Sequence, residues 1–173
     1  GRVPAMLNYS TSRKNLMSAC KTAAVITVIT SRRFIKAGKL THLIEGLESA
    51  QIKVCYLEDL VLQISPLAKL MGMLASLAPQ TYYRFMNKSR DSEATAVVLF
   101  TSGSEDVPKG VVLSHKNIQA NRFQVSSRID FGPADIVFNA LPVFHSFGLT
   151  GGTLLPVLAG IRTFFYPSPL HYR

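Results

Sequence analysis

An α/β fold with a mostly parallel sheet flanked by helices is what this sequence predicts, on three observations. Apolar runs of strand length alternate with segments of helical periodicity along the chain, the grammar of a layered α/β domain. The β-branched run Ala23 to Thr30 shows little apolar–polar alternation, as expected of a strand covered on both faces. Finally, the β-prone run Ala96 to Phe100 empties into small and hydroxylated residues, where sheets of this class hold ligands.

Composition bounds the answer. With 173 residues, 47% hydrophobic and 17% charged, the chain can bury one good core and is not a disordered tail. Residues 1–90 hold thirteen Lys and Arg against four Asp and Glu, while residues 91–173 hold six of each, so the net charge of +9 belongs to the first half. Basic surface favours anionic partners such as lipid head groups, an acidic carrier protein or nucleic acid; a solvated basic face explains it equally well. Nucleic acid is the weakest of these, because no basic stretch interleaved with aromatics stands out. Phe147 to Ile161 is the longest apolar stretch; its glycines and proline argue against a membrane span. Gly1 to Tyr9 lacks the pattern of a signal peptide. Cys20 and Cys55 have no metal-ligand or redox spacing, which predicts two reduced thiols and no metal site.

Element by element, Val3 to Leu7 reads as a strand whose partners precede it, as though the numbering began inside a domain. Ser10-Thr11-Ser12 offers helix caps for a helix reaching about Thr22. A helix over Ala37 to Ser49 carries Leu40, Leu43, Ile44 and Leu47 at three-to-four spacing, and a strand follows over Ile52 to Leu57. Ser65-Pro66 starts a helix whose stripe of Leu67, Leu70, Met71, Leu74 and Leu77 should pack on its own sheet, with Pro79 just past its end. Asn87 to Thr95 is a polar connector. Strands over Ala96 to Phe100 and Val111 to Leu113 flank the hydroxyl-rich loop, and Ser114 caps a helix to about Ser127. A turn at Phe131 to Asp135 precedes a strand over Ile136 to Leu141. A small-residue helix, Leu149 to Ala159, should bend near Pro156 and stop at Gly160 before a last strand, Ile161 to Tyr166.

The loop is the informative stretch. Thr101-Ser102-Gly103-Ser104, two acids, and Pro108-Lys109-Gly110 follow the strand. Backbone N–H groups and hydroxyls can surround an anion there, and one ammonium completes the charge balance. A Walker loop places its lysine directly after a glycine and before a hydroxyl residue, which is not the order here. The dinucleotide fingerprint is missing as well. A Gly/Ser hairpin between two strands accounts for the turn residues but leaves the lysine unexplained. A second constellation is Asn139-Ala140-Leu141-Pro142-Val143-Phe144-His145-Ser146-Phe147-Gly148-Leu149. The His145 imidazole can meet a carboxylate at a strand's C-terminal end, with Phe144 and Phe147 as apolar walls; a core histidine bonded to a backbone carbonyl is the alternative.

Both stretches resemble signatures of the adenylate-forming superfamily of AMP-binding, acyl-activating enzymes: the pattern [ST]-S-G-[ST]-x-x-x-P-K-G and the segment Leu-Pro-x-Phe-His-x-x-Gly. Within it, the blocks Val97 to Ile118, Arg128 to Gly152 and Tyr166 to Arg173, which cover most of residues 97–173, resemble the acyl–acyl-carrier-protein synthetase part of bacterial bifunctional 2-acylglycerophosphoethanolamine acyltransferases. The H-x-x-x-x-D pattern of the acyltransferase half is absent from the chain. The resemblance implies a fragment of the large N-terminal domain of such an enzyme: one partial domain over 1–173, with a basic α/β half (1–90) and a half carrying phosphate loop and acid pocket (91–173).

The implied reaction joins a fatty acid to ATP as acyl-AMP, releasing pyrophosphate, and then passes the acyl group to the thiol of an acyl carrier protein or coenzyme A. Thr101, Ser102, Gly103, Ser104, Lys109 and Gly110 would hold the triphosphate with magnesium. Lys109 and His145 would be catalytic, and Phe144, His145, Phe147 and Gly148 would line the acid pocket. The cytoplasm is the implied location, with association to the inner membrane through other parts of the parent left open. A loop that grips and releases pyrophosphate should be mobile around Gly103 to Val107. Asp106 stands where the family pattern has glycine, putting a carboxylate beside the expected phosphates. The family's downstream Tyr-Gly-x-Thr-Glu and Tyr-x-Thr-Gly-Asp segments, hinge and C-terminal lysine are not in these residues, so no complete adenylate site is expected. A basic anion- or lipid-binding module without catalysis is the alternative.

Overall fold

The computed structural model describes residues 2–86, 91–101 and 108–166. The chain forms two compact units, residues 25–91 on the one hand and residues 1–24 with 92–173 on the other. The first 24 residues group with residues 92–173.

In the unit 25–91, β1 (Thr27–Thr30) runs parallel to β2 (Lys53–Tyr56) in the register Thr27–Lys53 to Thr30–Tyr56. A parallel pair needs a crossover connection, supplied by α2 (Arg32–Gly38) and α3 (Thr41–Ser49). The expected helix over 37–49 is therefore two. Lys39 takes a left-handed conformation, φ 52°, and breaks the run. Leu40, Leu43, Ile44 and Leu47, the expected stripe, are all buried. Ser31 caps α2 through its Oγ, which accepts the Phe34 N–H at 3.0 Å.

The helix α4 (Leu57–Gln63) was not foreseen. Its Glu58 Oε1 accepts the N–H groups of Arg32 (2.9 Å) and Arg33 (3.4 Å), setting a carboxylate at the positive end of α2. Asp59 holds the Arg32 guanidinium through two bonds of 2.7 Å. The Arg32 hydrogen bond keeps the Asp59 carboxyl below its ordinary range, and Glu58 is lowered by its own backbone N–H and those of Arg32 and Arg33.

Two expectations fail in this unit. Ile29 is 63% exposed, so β1 is not covered on both faces. The helix α5 (Pro66–Leu77), capped by Ser65 as expected, buries none of its residues. Its apolar stripe does not pack on a sheet, and Pro79 opens a further helix, α6 (Pro79–Met86), where the chain was expected to leave helical structure.

In the other unit, Ser12 caps α1 (Arg13–Thr22), which buries Leu16, Ala19 and Cys20. Burial pushes the Cys20 thiol up, as expected of an inert internal cysteine. Strands β3 (Thr95–Thr101) and β4 (Lys109–Ser114) form an antiparallel pair. The expected strand at Val3 to Leu7 shrinks to one parallel bridge, Ala5 to Val98, with 2.9 Å bonds from Met6 N to Val98 O and from Val98 N to Pro4 O. Ser114 and Asn117 form a reciprocal capping box for α7 (His115–Ser126).

β5 (Ile136–Asn139) and β6 (Arg162–Phe165) are parallel. The helical connection between them runs α8 (Ser146–Leu149), a π-helical turn (Thr150–Leu154) and α9 (Leu155–Ala159), ended by Gly160 at φ 71°. Val97, Leu99 and Leu149 form the core that joins this connection to β3, with Met6, Leu113, Ile118 and Leu154 against them. Among the described residues, two of the three strand pairs are thus parallel. The pair that carries the hydroxyl-rich loop is the antiparallel one, so that loop spans a hairpin instead of leaving a parallel sheet.

Candidate active site

Thr101, the last residue of β3, stands directly opposite Lys109, the first residue of β4, and both are exposed. Directly opposed residues of an antiparallel pair project to the same face. The hairpin therefore places a hydroxyl and a lysine side chain together at the two posts of the connecting loop. Among the described residues no carboxylate pairs with Lys109. Gly110 pairs with Phe100; a Cβ there would meet Thr22 and Val98 methyl carbons at 3.6 Å, an ordinary contact. Ser102, Gly103, Ser104 and Asp106, and the expectation of a mobile loop, lie outside the described residues.

The second stretch is organised by a residue the sequence reading did not single out for a role. Asn139, at the end of β5, is 4% exposed. Its Nδ2 donates to the Gly148 carbonyl (3.3 Å) and to Thr153 Oγ1 (3.4 Å), and its Oδ1 accepts the Leu141 N–H at 3.0 Å. Thr153 Oγ1 in turn donates to the Gly148 carbonyl at 2.8 Å. One amide thus ties the end of a strand to the turn that follows it and to the helix beyond. A Cβ on Gly152 would collide with that amide, so the widened helical turn approaches Asn139 only because residue 152 is glycine. The signal was present in the sequence: a lone amide closes the apolar run Ile136-Val137-Phe138, with two glycines spaced four apart downstream.

His145 caps α8, and its Nδ1 accepts the Phe147 N–H at 3.3 Å. An accepting Nδ1 puts the ring proton of a neutral imidazole on Nε2, where it can be donated. The side chain is exposed and, among the described residues, bonds no backbone carbonyl, which does not fit a core histidine. Gly148 is buried beneath it, against the carbonyl groups of Leu141 and Pro142.

A cavity of about 1010 Å³ opens between α7, β5 and the α8–π segment, lined among others by Leu113, Asn121, Phe138, Phe147, Gly151 and Gly152. Of the residues expected to form an acid pocket, Phe147 lines it. Phe144 instead packs edge-on against Tyr9, ring centroids 5.2 Å apart. His145, Gly148, Thr101 and Lys109 are not in its lining. β4 links the two features, since Leu113 on the cavity wall lies about 13 Å along the strand from Lys109. The lining is largely apolar, with the amides of Asn117, Asn121 and Gln124 on α7.

Relatives extend the picture. A sulfoacetate–CoA ligase of Cupriavidus necator is 40% identical over 39% of this chain and 13% of its own length. The medium-chain-fatty-acid–[acyl-carrier-protein] ligase TtuA of Teredinibacter turnerae is 29% identical over 56% of this chain and 15% of its own. Among solved structures, the ATP-bound RpMatB-BxBclM chimera B3 superposes with a TM-score of 0.63 at 23% identity, over 96% of this chain and 30% of its own. The chain therefore spans well under half of each of these proteins, and the structural likeness bears on fold alone. The sequence matches the family described as AMP-binding enzyme over residues 1–173, and the chain belongs to that family.

Proposed function

We propose that this chain is part of an ATP-dependent acid–thiol ligase, supplying its triphosphate loop and one wall of its acid pocket. The observation that carries the reading is the pairing of Thr101 with Lys109, exposed and without an ion pair among the described residues, across the base of a Ser/Gly loop. Carboxylate and triphosphate are both anions, so bringing them together requires fixed positive charge and oriented donors. In this reading Lys109 and the hydroxyl-rich loop hold the β- and γ-phosphates. The Nε2–H of His145 meets the carboxylate, and Phe147 guides the acyl chain. Magnesium accompanies the nucleotide in the family resemblance; among the described residues no three His, Cys, Asp or Glu side chains converge to hold it, and no step is assigned to it.

The relatives include ligases of different acids and of both thiol acceptors. We assign a fatty acid as substrate, on the apolar cavity, and acyl carrier protein or coenzyme A as acceptor. Kinship with the synthetase part of bifunctional 2-acylglycerophosphoethanolamine acyltransferases, a role in phospholipid metabolism and a cytoplasmic location belong to the same proposal and rest on the sequence likeness alone. The test is pyrophosphate release with ATP and a fatty acid. A longer protein carrying the family's remaining segments should release it steadily and this chain alone should not; steady release by this chain would overturn the assignment as a part.

Asp106 supplies a second test. A carboxylate near bound phosphates opposes them, and aspartate takes positive φ only at some cost. Asp106→Gly in the longer protein should tighten ATP binding about tenfold, as one opposed charge at partly screened distance implies. Equal affinities by calorimetry would show that Asp106 faces away from the nucleotide.

A further inference from the structure

The unit 25–91 carries a surface that no part of the ligase reading uses. Every described residue from Leu60 to Leu74 is exposed, and so is every one from Ser76 to Met86. Among them Leu62, Leu67, Met73, Leu77, Tyr83 and Phe85 are each more than 60% exposed. Soluble proteins seldom show an apolar surface of this extent unless something covers it. Between Leu60 and Asn87 the sequence carries two charged side chains, Lys69 and Arg84, both basic, and Lys88 and Arg90 follow.

We propose that α4, α5 and α6 lie on the surface of an anionic phospholipid bilayer. Charge selects the occupant: from Leu60 to Asn87 the chain carries basic residues and no carboxylate, the acids at the start of α4, Glu58 and Asp59, being bonded to Arg32. An apolar stretch of that charge complements lipid tails under anionic head groups. Geometry selects the mode. The pair α4 and α5 has the combined length and composition of a membrane span but is bent by 94°. The 12 residues of α5 reach about 18 Å, against about 30 Å for the hydrocarbon core of a bilayer. The segment therefore lies in the interface and does not cross it. Tyr82 and Tyr83 on α6 have the ring-plus-hydroxyl character suited to that depth.

The inference is independent of nucleotide binding, so it can fail or stand without the ligase reading. The experiment is flotation of the protein with vesicles of phosphatidylcholine alone and of phosphatidylcholine with phosphatidylglycerol. Binding should require phosphatidylglycerol and fall with salt. Leu70→Glu with Leu74→Glu should weaken it at least about tenfold, since two exposed leucines leave the apolar face. Lys69→Glu with Arg84→Glu should weaken it as well and reduce its salt dependence.

A second readout guards against a variant that fails to fold. The chain has no tryptophan, so Phe85→Trp reports from α6 alone; its emission should shift to the blue with the anionic vesicles and be quenched by brominated lipid. Absence of flotation, leucine variants that float like the parent, or emission already blue-shifted without lipid and unmoved by vesicles would each overturn the proposal. The last result would mean that protein, from the same or a second chain, covers this face.

Discussion

Gly148→Ala is expected to destabilise the unit that contains the candidate site by about 3 kcal/mol, the upper part of the range for overpacking a tight interior. The methyl would stand 2.9 Å from the Leu141 carbonyl oxygen and closer still to that of Pro142. Both atoms are backbone, so no side-chain rotation relieves the clash. Pro142 O also accepts the His145 N–H at 3.0 Å, and Gly148 O is the shared acceptor of Asn139 and Thr153. Relief of the overlap must therefore shift either the histidine's turn or the amide network beneath it.

Urea unfolding of Gly148→Ala beside Gly72→Ala makes the comparison. Nothing lies within 4 Å of a Cβ on Gly72, which sits inside α5. That substitution should be stabilising by about 1 kcal/mol through helix propensity alone. If the two variants unfold alike, the close packing under His145 is not what the structure shows.

Lys109→Ala should lower the ATP- and acid-dependent pyrophosphate exchange of the longer protein by at least about a hundredfold, the loss typical when a preorganised group aimed at developing charge is removed. Stability should stay within about 0.5 kcal/mol, because Lys109 is exposed and makes no ion pair among the described residues. Lys116→Ala is the control. Lys116 is also exposed, lies seven positions along the same chain and pairs with Glu93. Losing that surface pair should leave the exchange within about twofold of the parent. A Lys109→Ala protein that keeps full exchange would remove Lys109 from the nucleotide site. Should exchange fall equally in both variants, general loss of positive charge would be the cause, and the specific pairing with Thr101 would carry no weight.

The helix caps were legible without coordinates. The Oγ atoms of Ser12, Ser65 and Ser114 each accept an N–H of the first turn that follows, because capping depends on a few contiguous residues whatever surrounds them. The stripe Leu40, Leu43, Ile44 and Leu47 was likewise readable, since a helical face that must be buried is written at a fixed spacing. Its division into two helices was not. A left-handed lysine at position 39 has no compositional signature of the kind a glycine would leave.

The candidate site divides in the same way. Chain order alone determined that a hydroxyl-rich loop ends on Lys109 and that His145 follows a strand, because those are statements about neighbours along the backbone. Tertiary structure decided what lies across from what. The antiparallel register sets Thr101 beside Lys109, and the Phe144 ring turns to Tyr9, 135 positions earlier in the numbering. The buried amide of Asn139 holds Gly148 and Thr153, nine and fourteen positions on. Local preference is summed residue by residue and survives in one dimension. Strand register, and the choice of which apolar stripe is buried and which is left to another surface, depend on pairing energies between distant segments, which composition and spacing do not encode.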